Sequence, residues 1–176
     1  LRRVVLSDLP KQKDPGKNRT SAVLIPFMRG SDGESLEILF IRRSDDLPTH
    51  PGQVAFPGGS VESGDRDHRH TALREAQEEV GLPPEQVEIV GPLDDLNTVT
   101  GYHIRPYVGL VHDGFVPRST SPEVAEVFQV PVDTLLEMIP KQERRIIGGI
   151  ARFFRTYEYG TQKIWGATAA ILTGLL

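Results

Sequence analysis

The sequence predicts a mixed α/β (α+β) domain built in layers, and three features predict it. Short apolar runs such as SAVLIPF (21–27) and LEILFIR (36–42), closed off by polar residues or glycine, have the length of buried strands. A helical period through Leu73, Ala76 and Val80 stops at Gly81, with Pro83 beyond. Strands, one helix, further strands and a last helix then follow in an order unlike a regular parallel winding. At 176 residues the chain can bury about 70% of its unfolded surface, which suits one domain over residues 1–176.

The elements follow in chain order. A short amphipathic start leads to KQKDPGKNRT (11–20), a polar loop made locally basic by Lys11, Lys13, Lys17 and Arg19. SAVLIPF and LEILFIR are strands joined through RGSDGES (29–35), whose glycines and Asp32 suit a hairpin. QVAFPGG (53–59) feeds a helix from about Asp67 to Val80, with Phe56 packing beneath the glycines. VEIV (87–90), RPYVGLV (105–111) and VAEVFQV (124–130) read as short strands. A short helix begins near Val132 or Asp133, IIGGIARFFRTYEY (146–159) reads as a hairpin, and TQKIWGATAAILTGLL (161–176) as an apolar helix with Trp165 in the core.

Composition removes several function classes. The chain has no cysteine, so disulfides, thiolate zinc sites, iron-sulfur clusters and cysteine nucleophiles are out, and any metal must bind oxygen or imidazole. With 20 basic and 24 acidic residues and a net charge of −4, it lacks the basic footprint of a nucleic-acid binder. No apolar run approaches the roughly 20 residues that span a bilayer, and LRRVVLSDLPKQKD lacks the apolar centre of a signal peptide. A cytoplasmic protein with a small-molecule partner is the expectation. Its oligomeric state stays open, a homodimer being one option.

The chemistry concentrates in REAQEEVGL (74–82). Glu75 and Glu79 are four residues apart and Glu75 and Glu78 three, so their carboxylates share a helix face. Like charges so placed repel by a few tenths of a kcal/mol per pair. A solvated face in which Arg74 neutralises one glutamate is the bland explanation. The sharper one is a hard divalent cation, which takes carboxylate oxygens together with substrate phosphate oxygens. FPGGSVESGD (56–65) favours the second, since Gly58 and Gly59 let the backbone turn tightly and approach a bound ion.

GGSVESGDRDHRHTALREAQEEVGL (58–82) resembles the Nudix box, a loop-helix-loop motif with a glycine, an acidic residue and then REUXEEXGU. The last nine residues match at every fixed position. Upstream, Asp65 stands in place of glutamate, and eight residues rather than seven separate it from Arg74. IRRSDDLPTHPGQVAFPGGSVESGD (41–65) is similar to the signature of the coenzyme A pyrophosphatase branch, in which the acidic residue is an aspartate in this longer register. IWGATAAIL also resembles the terminal helix of Nudix domains.

The resemblance implies an α/β/α sandwich with a mixed sheet, an Mg2+ or Mn2+ requirement, and hydrolysis of coenzyme A to 3′,5′-ADP and 4′-phosphopantetheine. It implies Glu75 and Glu79 as principal metal ligands, Glu78 as a further ligand or catalytic carboxylate, the Gly59 carbonyl as a backbone ligand, and Arg74 as the residue that orients the glutamates. The general base is a box glutamate or one from a later loop. SPEVAEVFQVP (121–131) supplies Glu123, the favoured choice at the loop edge, and Glu126. Arg42, Arg43, Gly58 and His50 are candidate substrate contacts. Arg42 and Arg43 could equally be an edge-strand charge pair, and His50 could shape the HPGQ turn. His68 and His70 read as solvent-facing. The alternatives are a Nudix pyrophosphatase for ADP-ribose, NADH or another nucleoside diphosphate derivative, which the signature before the box opposes, and a catalytically silent nucleotide sensor, which the three retained glutamates oppose.

Overall fold

The computed structural model describes residues 19–147 and 149–176, so the basic loop at Lys11, Lys13 and Lys17 lies outside the described residues. In chain order the elements are β1 (Arg19–Arg29), β2 (Leu36–Arg43), β3 (Val54–Ala55), β4 (Gly58–Ser60), α1 (His68–Val80), β5 (Val87–Pro92), β6 (Leu96–Asn97), β7 (Tyr102–Val111), β8 (Val124–Pro131), α2 (Val132–Glu137), β9 (Lys141–Ile147), β10 (Ile150–Tyr159), β11 (Gln162–Trp165) and α3 (Gly166–Leu175). The main sheet runs β3-β2-β1-β7-β5, with β8 also on β2, β4 on β1 and β6 on β7. It is mixed: β1 and β7 are parallel from Arg19↔Tyr102 to Phe27↔Leu110, while β1 and β2 are antiparallel. A smaller antiparallel sheet has the order β11-β10-β9.

The apolar runs of β1 and β2 are unbroken because both faces of the main sheet are covered. Successive side chains point to opposite faces, so Leu24, Leu39 and Ile41 pack with Ala72, Ala76 and Val80 of α1. Ile25, Ile38 and Phe40 go the other way, against Ala169, Ile171 and Leu172 of α3, Ile164 of β11 and Tyr157 of β10. The result is the α/β/α sandwich the sequence implied. Among the described residues no helix is long and apolar enough to cross a membrane.

Helix α1 begins where Asp67 accepts a hydrogen bond from the His70 N–H at 2.7 Å and ends at Gly81 in the left-handed conformation, φ +70°. Its last carbonyls are taken up from outside the helix. Thr120 Oγ1 donates to the Glu78 carbonyl at 2.7 Å and Thr120 N to the Glu79 carbonyl at 3.1 Å. Those bonds fasten the segment before β8 to the helix end.

The last segment differs from its expectation. Only Gly166–Leu175 is helical, whereas Gln162–Trp165 pairs with β10 from Tyr159↔Gln162 to Thr156↔Trp165. A two-residue turn at Gly160 and Thr161, with Gly160 at φ +56°, folds β11 back, and Gly166 at φ +67° separates strand from helix. The expected hairpin is present but longer, since β9 reaches back to Lys141. Strands β3, β4 and β6 have only two or three residues, too few to show a period in the sequence.

Leu172 is fully buried in the layer between α3 and the sheet. Leu172→Ala is expected to lower stability by about 2–5 kcal/mol with little change in the denaturant slope, measured by urea unfolding.

Candidate active site

The site starts from a strand with almost no side chains. Strand β4 lies against β1 in the register Ala22↔Gly59 and Val23↔Gly58, and the Gly58 N–H donates to Glu79 Oε2 at 2.9 Å. A Cβ on Gly58 would stand 2.5 Å from the Ala22 carbonyl oxygen, and one on Gly59 would stand 2.2 Å from Glu75 Oε1. Gly58 is therefore required by its close approach to the β1 backbone, whereas a side chain at Gly59 would displace the Glu75 carboxylate from its place.

Arg74 organises that helix face. Its Nε donates to Asp65 Oδ1 at 3.0 Å and its Nη2 to Asp65 Oδ2 at 3.2 Å, while Glu75 and Glu78 each lie 3.1 Å from its Nη atoms. Nη2 also donates to the Ser60 carbonyl on β4 at 3.1 Å. The Asp65 carboxylate is 1% exposed and is held further by Thr71 Oγ1 at 2.8 Å and His70 Nδ1 at 2.9 Å. The Arg74 guanidinium holds its carboxyl well below the usual range, and Asp65 in turn raises the pKa of Arg74. Asp65 is thus a buried counter-ion that fixes Arg74.

The sequence did not reveal this role for Asp65, nor the part of His70, which was expected to face solvent. His68 Nε2 is likewise buried and without a partner among the described residues. The available signal was the spacing: Asp65, His70, Thr71 and Arg74 fall within ten residues across the helix start, where the loop folds back on the first turns.

The other carboxylates carry the opposite shift. Glu79 is only 5% exposed. Burial pushes its carboxyl up to about 8, against the Gly58 N–H and the charge of Arg43, which favour ionisation, and with Glu75 and Glu123, which oppose it. Burial also raises Glu75, with Arg74 countering.

A cavity of about 790 Å³ opens over these residues. Among the described residues, five glutamates, at 62, 75, 78, 79 and 123, line it with two arginines, Arg43 and Arg155. Gly58, Gly59 and His50 also line it. His50 shapes the turn, with a φ of +55° and its carbonyl accepting from Gln53 N at 3.4 Å.

The adjacent arginines separate. A register shift in the β2–β8 pairing falls between Arg42 and Arg43. Arg43 faces the cavity, 3.4 Å from Glu123, and its buried Nε has no partner among the described residues. Arg42 does not line the cavity. It lies 3.2 Å from Asp45 and 3.4 Å from Glu126, turned away from the cavity by strand alternation and the bulge. Glu126 is likewise outside, hydrogen-bonded to Gln162, whereas Glu123 is inside. Three further cavity residues, Phe153, Phe154 and Arg155 of β10, were not singled out in the sequence, and Trp165, expected in the core, lines the cavity as well.

Among the described residues no three His, Asp or Glu side chains already converge as ligands for an ion. The donor chemistry nevertheless suits a hard cation. Glu79 is a buried and Glu75 a part-buried carboxylate of the cavity lining, Glu78 is exposed beside them, and the excess of glutamates over arginines among the described lining residues leaves negative charge that a divalent ion would neutralise.

A family model described as the NUDIX domain matches residues 18–148. The chain is 39% identical over 171 residues to an uncharacterized Nudix hydrolase NudL of Pectobacterium atrosepticum, covering 93% of this chain and 84% of that protein. It is 40% identical over 159 residues to a NudL of Yersinia pestis, covering 90% and 78%. In three dimensions it is similar to RenU, a Nudix hydrolase from M. smegmatis, with a TM-score of 0.56 at 20% identity over 68% of this chain and 74% of that one. The NUDIX domain of Shewanella oneidensis NrtR, solved with ADP ribose, gives 0.55 at 18% identity over 76% and 85%.

The raised pKa of Glu79 fixes a sign. A carboxyl that binds its proton more tightly when folded stabilises the fold below its unfolded value near 4.3, and that contribution is lost as pH rises toward about 8. In metal-free protein, Glu79→Gln is expected to equal wild type near pH 4 and exceed it in stability at pH 8, by urea unfolding in chelator. Added Mn2+ should stabilise wild type at pH 8 more than the variant.

Proposed function

The chain belongs to the Nudix family, and on that premise we propose that it hydrolyses the diphosphate linkage of coenzyme A, using Mg2+ or Mn2+, to 3′,5′-ADP and 4′-phosphopantetheine. The observation that carries the chemistry is the cavity lining, where Glu75 and Glu79 lie beneath two glycines with more glutamates than arginines around them. An anionic diphosphate would be repelled from such a lining without a cation. Support for coenzyme A comes from the segment Ile41–Asp65, because Arg43, His50, Gln53, Gly58 and Gly59, which line the cavity, all belong to it.

Glu75 and Glu79 would hold the ion, with Glu78 and the Gly59 carbonyl as further ligands. When bound there, it neutralises the diphosphate oxygens, worth several kcal/mol of barrier. Arg74, pinned by Asp65, keeps the Glu75 and Glu78 carboxylates in fixed orientation. Glu123 takes the proton of the attacking water, a role that typically contributes about 10² to 10⁴ in rate. Arg43 holds Glu123 at the cavity edge and can donate its remaining N–H groups to a phosphate oxygen. A phosphate then departs with no covalent enzyme intermediate.

Two measurements test this reading. Coenzyme A should show a higher kcat/KM than ADP-ribose or NADH with either metal, the products being identified chromatographically. If ADP-ribose is the best substrate, the coenzyme A assignment is wrong. Glu123→Gln should lower kcat by about 10² or more with KM little changed, while Glu126→Gln stays near wild type. The reverse ranking moves the base to Glu126, and two mild effects return it to α1.

A further inference from the structure

Of the two arginines that line the cavity, Arg43 is engaged with Glu123, whereas Arg155 has no ion pair or side-chain hydrogen bond among the described residues. It lies on β10, in register with Gln142 of β9. Phe153, two residues earlier and 69% exposed, follows the same alternation, about 6.5 Å away along the strand. Tyr157 continues that face into the core and is buried. The β10 face thus leaves the core at Tyr157 and presents an unpaired guanidinium and an exposed aromatic ring at the wall of a cavity lined by glutamates, with the part-buried Phe154 of the alternate face lining the same cavity. A nucleotide carries the complementary groups, a base that stacks on an aromatic ring and a phosphate that takes a guanidinium fork.

We propose that Phe153 and Arg155 are specificity residues that bind the nucleotide half of the substrate, Phe153 against the base and Arg155 on a phosphate monoester outside the diphosphate. The inference rests on the coenzyme A reading, which supplies that monoester as the ribose 3′-phosphate. It assigns discrimination to β10 and leaves the diphosphate to the α1 carboxylates. Arg43, beside Glu123 and Glu79, belongs to the reacting end.

The test measures binding of adenosine 3′,5′-bisphosphate and of 5′-AMP by calorimetry in the presence of Mg2+. Fluorescence of Trp165, the chain's only tryptophan and a cavity residue, reports whether the ligand enters this cavity. Wild type should bind the bisphosphate at least about tenfold more tightly than 5′-AMP. Arg155→Ala should abolish that preference without weakening 5′-AMP, and Arg155→Lys should restore part of it. Phe153→Ala should weaken both ligands about fivefold or more, and Phe153→Tyr should not. If Arg155→Ala keeps the preference while coenzyme A remains the best substrate, the inference falls alone. If Phe153→Ala binds both ligands normally but changes the sedimentation mass, the aromatic patch is an interface between copies, and the stacking role is wrong. A wild type that does not distinguish the two ligands removes both the inference and the 3′-phosphate part of the coenzyme A reading.

Discussion

Two glutamates that would be fully hydrated in an unfolded chain are held beneath a strand with almost no side chains, and much of the site is arranged around that burial. The cost appears as the raised pKa values of Glu75 and Glu79. It is met in part by the Gly58 N–H on Glu79 and by Arg74 beside Glu75. Arg74 reaches two glutamates of its own helix while Asp65 and the Ser60 carbonyl hold its guanidinium. The opposite pKa shifts along this stretch have different causes: the Arg74 guanidinium lowers Asp65, whereas burial raises Glu75 and Glu79 beyond what their partners offset.

The fold makes this placement possible through the parallel pairing of β1 and β7. Joining parallel strands needs a crossover long enough to carry a helix, and α1 lies in that crossover, packed on one face of the sheet. Strand β4, in the same crossover, returns to β1, so the glycines are pinned to the sheet on one side and approach α1 on the other. Thr120, bonded to the last carbonyls of α1, brings the start of β8 to the same helix. Glu123 and Glu79, distant in sequence, thereby come to share the cavity.

What could be read from the sequence follows the range of the interactions. Helix α1 was legible nearly to the residue because its period, its Asp67 cap and its Gly81 stop are all local. The long strands were legible because two covered faces leave an unbroken apolar run. Strand β11 was not: Ile164 and Trp165 fit a helical pattern with the residues after them, and only the turn at Gly160 and Thr161 and the pairing with β10 decide otherwise. The box glutamates could be named from spacing, but the burial that shifts Glu79 comes from β4, and no local pattern encodes a strand of three residues.

Arg42 and Arg43 show most directly where reading the chain ended. As neighbours of the same charge ahead of the glycine loop, they were equivalent in sequence. On a strand, neighbours face opposite ways, and a bulge between these two re-aims them further. One consequence is two separate Arg–Glu pairs, Arg43 with Glu123 inside the cavity and Arg42 with Glu126 outside it. The two candidate bases are separated in the same way: Glu126 sits on β8 and faces Arg42 and Gln162, whereas Glu123, in the turn just ahead of β8, faces Arg43 and the cavity. Two glutamates three residues apart thus come to different surroundings through where β8 begins and how it pairs with β2, neither of which the local sequence shows.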